Sequence, residues 1–370
     1  MNMKWLKILV RIILAAAALL LLIVAAVILF LYFYPPVGQL PGKNEQAALE
    51  KESDRYFDGQ FHNANAVNTM TGNGYSPSDR RIPEKRIAAC TPAFLTDPQE
   101  GDLSFTWIGH SSFFLQLGTV NVLVDPVLSN RTSPVGFAGP KRFSELPLTA
   151  QDFPRIDVLF LSHDHYDHLD YPTFLAIRDQ VGAFVVPLGV DAILKGWGVD
   201  AAKITALDWW ESTEINGVSI TLTPSQHFTG RNPLRGNRTL WGGAYIDDGY
   251  HRVYYTGDGG YQAGFKEVRN RLGAPDLMIA ECGQYDPAWS QIHMFPEETV
   301  QAGKDVEAKW LIPVHWGSFS ICNHAWDDPI LRVTAAAETA DLPLASPQIG
   351  QTVRYDELAV CTERWWEAYA

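Results

Sequence analysis

The stretch LSHDHYDHLDY, residues 161–171, carries three histidines and three aspartates directly behind the apolar run IDVLFL. A solvated loop rarely needs three imidazoles within six residues, whereas a metal ion does. Zinc takes histidine nitrogen and carboxylate oxygen, and a catalytic site keeps one position open for water or substrate. His163, His165, Asp167 and His168 supply such donors. Others follow further apolar runs: His227 after VSITLTPSQ, Asp258 after RVYYTG and His315 after KWLIPV. Taken alone, a histidine at a strand end is an ordinary structural residue and the Asp of TGDGG an ordinary turn residue. Beside the HxHxDH block they become metal-ligand candidates. Seven donors exceed the need of one ion, so two ions sharing a carboxylate are the economical arrangement.

Such donors need rigid elements to converge. From about residue 102 short apolar runs alternate with loops and helical stretches: LSFTWIGH, FFLQLG, VNVLVDP, IDVLFLS, GAFVVP, VSITLTP, RVYYTGD, DLMIAEC and KWLIPVH. The pattern predicts strands in sheets flanked by helices, an α/β class. Ligands at the ends of several strands can meet at one edge of such sheets.

The 370 residues allow one large domain or two modest ones. With 46% hydrophobic and 12% aromatic residues the chain is globular. A net charge of −13 speaks against nucleic acid as a partner. The four cysteines, Cys90, Cys282, Cys322 and Cys361, form no CxxC pair, which disfavours a structural zinc knuckle, and their pairing stays open.

The N-terminus reads differently. Ile12–Tyr34 is a run of 23 uncharged residues. At ~1.5 Å per residue it spans a ~30 Å hydrocarbon core. It ends in FLYFYPP, without the small-x-small site of a cleaved signal peptide. The expectation is an uncleaved single-pass anchor. Lys4, Lys7 and Arg11 precede the span, which keeps the N-terminus cytoplasmic and sends the rest outside, into the periplasm if the source is Gram-negative. After the anchor (1–36), residues 37–101 read as a linker and an extension packing on the domain that fills 102–370. QAALEKESDRYFDGQF reads as a short helix and NTMTGNGYSPSD as turns.

HDHYDH, His227, Asp258 and His315 together resemble the metallo-β-lactamase superfamily of αββα sandwich hydrolases. WIGHSSFFLQLGTVNVLVDPVLSNRTSPVGFAGPKRF, LDWWE, TPSQHFTGR, LWGGAY, TGDGGY, HMFPEE and VHWGSF are similar to the branch of N-acyl-phosphatidylethanolamine-hydrolysing phospholipase D and its bacterial relatives. The likeness runs in order through about residues 102–320 and excludes the anchor. It implies one zinc ion on His163, His165 and His227, a second on Asp167, His168 and His315, and Asp258 between them. It implies catalytic roles for Asp167 and His293, the latter in HMFPEE. It also implies that Asp125, in VLVDP, is a buried carboxylate orienting a ligand histidine.

The expected reaction is zinc-dependent phosphodiester hydrolysis of phospholipase D type, through a hydroxide bridging two ions, on a membrane phospholipid. Two alternatives stay open: a lactonase or other phosphoesterase of the same fold, and an envelope protein whose zinc is only structural. Phe57, Phe61, Phe137, Trp209 and Trp210 are either an acyl groove or plain core. Protein partners are not legible.

Overall fold

The computed structural model describes residues 3–70 and 72–369. The chain begins with helix α1 (Met3–Phe33), none of whose residues is buried; it is long and apolar enough to cross a membrane. Its hydrophobicity runs all round the helix, as expected of a segment solvated by lipid. Pro35 and Pro36 end it, and α2 (Lys43–Glu52) follows. The expected helix in QAALEKESDRYFDGQF therefore starts earlier and stops at Glu52. Beyond it β1 (Tyr56–Phe57) and β2 (Gln60–Phe61) form a hairpin. Asp58 and Gly59 both take positive φ there, the conformation of a tight two-residue turn, so the DG signal overrides helix propensity.

Two sheets make the body. The first has the order β15-β3-β4-β5-β6-β7-β8, built from β3 (Leu103–Gly109), β4 (Ser112–Leu117), β5 (Val120–Val124), β6 (Ile156–Phe160), β7 (Val181–Pro187), β8 (Ile204–Leu207) and β15 (Thr352–Arg354). The second has the order β14-β13-β12-β11-β10-β9, built from β9 (Ser212–Ile215), β10 (Val218–Thr223), β11 (Gly243–Asp247), β12 (Arg252–Tyr255), β13 (Leu277–Glu281) and β14 (Trp310–Val314). Helices α3 (Tyr171–Ile177) and α4 (Val190–Gly196) belong to the first layer; α5 (Gly264–Leu272), α6 (Pro296–Asp305) and α7 (Asp328–Ala340) belong to the second. This is the αββα sandwich.

Period-2 side-chain alternation assigns each strand face to a core. Phe113, Leu115, Val122, Val124, Val158 and Phe160 face the second sheet, where Ile220, Leu222, Ile246 and Tyr255 meet them. Phe114, Leu123, Leu159 and Phe184 face Phe174, Ile177, Ile193 and Leu194 of α3 and α4. Strands buried on both faces read as continuous apolar runs, which is why these were visible in the sequence.

Strand direction decides where the chemistry goes. β3 and β5 both run antiparallel to β4, and β6 is parallel to β5. β10 and β12 both run antiparallel to β11, while β13 and β14 are parallel to β12. The C-terminal ends of β3, β5 and β6 therefore lie on one edge of their sheet, and those of β10, β12, β13 and β14 on one edge of theirs.

Candidate metal centre

Each of those seven ends delivers a side chain to one cluster. β3 gives His110, β5 gives Asp125, β6 leads into His163, His165, Asp167 and His168, β10 leads to His227, β12 to Asp258, β13 ends on Glu281 and β14 is followed by His315. His110, Asp125 and His315 hold positive φ, at 55°, 42° and 68°. Non-glycine residues in that region are strained, and such strain gathers at functional sites. The loop after β13 approaches His315 so closely that a Cβ on Gly283 would stand 1.7 Å from the His315 carbonyl oxygen.

The donors fall into two sets. In the first, His163 Nε2 lies 2.9 Å from His165 Nδ1, and His227 Nε2 lies 3.3 Å from the same atom. In the second, Asp167 Oδ2 lies 3.8 Å from His168 Nε2 and 3.4 Å from His315 Nε2. Asp258 touches both: Oδ2 is 3.1 Å from His168 Nε2 and 3.9 Å from the Nε2 atoms of His163 and His227, and Oδ1 is 3.1 Å from His315 Nδ1. Two ligand atoms each ~2.1 Å from one tetrahedral ion stand roughly 3.4 Å apart, so these separations suit metal cages. The hydrogen-bond pattern agrees: His168 Nε2, Asp258 Oδ1 and His315 Nδ1 are buried yet make no aligned hydrogen bond. Buried polar atoms are normally satisfied, and an ion would satisfy these.

Electrostatics separates the sets. Burial, reinforced by neighbouring imidazoles, holds His163 and His227 well below the usual imidazole range, and burial lowers His165 as well. Burial also acts to lower His168 and His315. There it is outweighed by carboxylates: Asp258, Asp167 and Asp125 hold His168 well above its ordinary value, and Asp258, Asp167 and Glu281 raise His315 to about 9. Asp167 and Asp258 are themselves held well below the carboxylate range, against burial, by the facing imidazoles. Without metal, protons on His168 and His315 supply the positive charge of the second set.

Asp125 sits beneath the cluster, wholly buried. Its Oδ2 accepts from His168 Nδ1 at 2.8 Å, Ser162 Oγ at 2.5 Å and Tyr255 OH at 2.8 Å, and its Oδ1 accepts from Ser162 N at 2.8 Å. His293 stands at the rim with its side chain 12% exposed, its ring 5.1 Å from that of His227 and its Nδ1 3.4 Å from Glu281 Oε2. Asp167, at 13%, is the other rim group. All nine expected residues thus meet in one place.

Two members were missed from sequence. His110 Nε2 lies 3.1 Å from Asp167 Oδ2, and burial holds this imidazole down to about 3. Glu281 Oε1 accepts from Met294 N while Oε2 faces both His293 and His315 Nδ1, the latter at 3.5 Å. Both end apolar strands, in WIGH and MIAE, and that position was the usable signal.

The five bulky residues behave differently. Phe61 is core, Phe57 stacks on His62, Phe137 is 84% exposed, and Trp209 and Trp210 border a separate cavity of ≈580 Å³. Among the described residues no ring contact joins them into a groove. The four thiols are unpaired; Cys322 Sγ lies 2.8 Å from His324 Nε2.

Residues 120–316 match the family described as Beta-lactamase superfamily domain. An uncharacterized protein of Mycobacterium tuberculosis is 37% identical over 325 residues, covering 83% of this chain and 86% of its own. N-acyl-phosphatidylethanolamine-hydrolyzing phospholipase D 1 of Caenorhabditis elegans is 35% identical over 256 residues, covering 66% and 72%. The crystal structure of a possible metal-dependent hydrolase from Veillonella parvula superposes with a TM-score of 0.56 at 20% identity, covering 68% and 99%, which shows the shared fold. The chain belongs to the metallo-β-lactamase superfamily, among the relatives of N-acyl-phosphatidylethanolamine-hydrolysing phospholipase D.

Proposed function

We propose that this metal-dependent hydrolase is a membrane-anchored phosphodiesterase of phospholipase D type, with an N-acyl-phosphatidylethanolamine-like phospholipid as substrate. The observation that carries the reading is the pair of donor sets sharing Asp258. A single ion would not need a carboxylate between two triads. In this assignment His163, His165 and His227 would hold one zinc ion, Asp167, His168 and His315 would hold the other, and Asp258 would be shared between the two sets. Bound zinc supplies Lewis acidity toward a phosphoryl oxygen and makes water nucleophilic at neutral pH.

The remaining work falls to the protein. Asp125 accepts a hydrogen bond from His168 Nδ1–H, which keeps the proton on Nδ1 and leaves Nε2 with a free lone pair. His110 orients Asp167 through Nε2, keeping one rim carboxylate oxygen fixed. Glu281 steers His293 through Nδ1, which leaves Nε2 to exchange a proton with the leaving head-group oxygen. Buried walls around His163, His168 and His227 exclude water, so the substrate phosphate enters at Asp167 and His293.

Residues 1–36 then act as anchor, 37–101 as an extension packed on the sandwich, and 102–370 as the hydrolase domain. Lys4, Lys7 and Arg11 keep the N-terminus cytoplasmic and the catalytic domain outside. The test is incubation of the zinc-loaded full chain with a phospholipid extract, with products read by mass spectrometry. Phosphatidic acid and an N-acylethanolamine support the reading. Diacylglycerol would move cleavage to the other ester bond, and hydrolysis of lactones alone would replace the phosphodiesterase with a lactonase.

A further inference from the structure

A cavity of ≈550 Å³ opens where α1 leaves its membrane-spanning course, away from the residues of the metal centre. One wall is the end of α1 and the residue after it, Leu31 to Tyr34; the others come from Leu40, Trp197, Asn232 and Arg235. The junction is built rather than loosely tethered. Asn232 Nδ2 donates to Leu31 O at 3.0 Å, and Trp197 Nε1 donates to Pro35 O at 2.8 Å. The guanidinium of Arg231, wholly buried, donates Nε to Val37 O and Nη2 to Pro36 O, and Nη1 to Asp164 O and Leu169 O. Residues 35–38 are thereby tied to the loop that carries His163, His165 and His168. The catalytic domain is held at a fixed place against the exit of α1.

The chemistry of the cavity is that of a membrane interface. Tyr32, Tyr34 and Trp197 supply amphipathic rings of the kind that sit at head-group level. Arg235 lies with its guanidinium 5.8 Å from the Tyr32 ring centroid. The guanidinium donates to Pro41 O at 3.3 Å, and among the described residues it forms no ion pair with a carboxylate. The last carbonyl groups of a helix carry partial negative charge, and here Asn232 answers one of them, so Arg235 stays available for a ligand. Next to it on the same loop Leu234 is 63% exposed, an apolar side chain beside a helix that ends in the bilayer.

We propose that this cavity binds one anionic phospholipid of the surrounding bilayer, its phosphate on the Arg235 guanidinium and its acyl chains along the flank of α1. A planar guanidinium fork matches phosphate oxygens, and the negative surface of a bilayer enriches such lipids at a cationic juxtamembrane site. The site is distinct from the metal centre and takes its lipid without hydrolysing it. It depends on insertion of α1 and not on the phospholipase reading.

The test uses the full chain in nanodiscs of phosphatidylcholine doped with a photo-crosslinkable phosphatidylglycerol, mapped by peptide mass spectrometry. Labelling is expected on residues 31–42, Trp197 and 232–235. Arg235→Gln should lower it about tenfold, the loss of a charge-assisted hydrogen bond, and Arg235→Lys should restore part of it. Arg271→Gln, which removes a cation over Trp210 at the other cavity, should leave it unchanged. Equal labelling by a phosphatidylcholine probe would overturn the anionic class. Equal labelling in Arg235→Gln would overturn the site. Abolition by millimolar inorganic phosphate would make the ligand a soluble anion instead of a lipid. Since no outcome is read through catalysis, failure of the phospholipase reading leaves this test intact.

Discussion

Replacing Asp125 by Asn changes almost no volume and should still remove one metal ligand. Oδ2 of Asp125 faces three donors, His168 Nδ1, Ser162 Oγ and Tyr255 OH, while Oδ1 faces Ser162 N. An amide has one acceptor atom and one donor atom. With its NH₂ toward the trio, it forces His168 to accept at Nδ1 and carry its proton on Nε2, the atom aimed at Asp258 and the second set. With its NH₂ toward Ser162, it opposes a backbone N–H. Either orientation leaves a conflict in a buried site, at a cost of about 1–3 kcal/mol in fold stability. Loss of such an orienting partner costs roughly 10–100-fold in metal affinity, about 1.4–2.7 kcal/mol. Stripping the protein with a chelator and titrating zinc back against a chromophoric competitor should show two sites in the parent. In Asp125→Asn the tight site on His163, His165 and His227 should survive, and the other should weaken by that factor. Two unchanged affinities would refute the tautomer argument.

Three further outcomes follow from the same geometry. Gly283→Ala puts a Cβ against the His315 carbonyl and should displace His315, lowering second-site affinity and activity at least tenfold; normal zinc content with full activity would count against the close approach. The metal-free protein should lose stability as pH falls through about 6.5, because His163, His165 and His227 resist protons that the unfolded chain accepts. The raised His168 and His315 act oppositely: their stabilisation is complete below about 6.5 and fades at higher pH, for His315 as pH rises through about 9. Zinc must displace those protons, so affinity at the second set should climb from pH 7 to 9 while the first stays flat, as competition titrations at several pH values would record. Truncation should also discriminate: removing residues 1–33 should free a soluble, zinc-binding protein, whereas removing 1–42 takes the carbonyls bound by Arg231 and should lower both melting temperature and zinc affinity.

The sequence disclosed those features whose physics is local. HxHxDH, the apolar span of α1 and the nine largely buried apolar strands all carry their signal within a few residues. The strands it hid have little such signal. β9 (STEI) is a mostly exposed polar edge, β11 (GAYID) starts at paired glycines, and β15 (TVR) has three residues. The membership of His110 and Glu281 in the cluster is set by strand direction, which no short window contains. The same holds for Arg231, which tertiary packing alone shows buried and bonded to four main-chain carbonyls.

The central claim is metal-assisted attack of water on phosphorus. Hydrolysis of an N-acyl-phosphatidylethanolamine by the zinc-loaded full chain in oxygen-18 water tests it most directly. The account predicts one labelled oxygen in phosphatidic acid, none in the released N-acylethanolamine, and no turnover by the chelated protein or by His163→Ala. Label in the N-acylethanolamine would mean attack at carbon, and turnover by chelated protein would remove the metal centre from the reaction; either result contradicts the account.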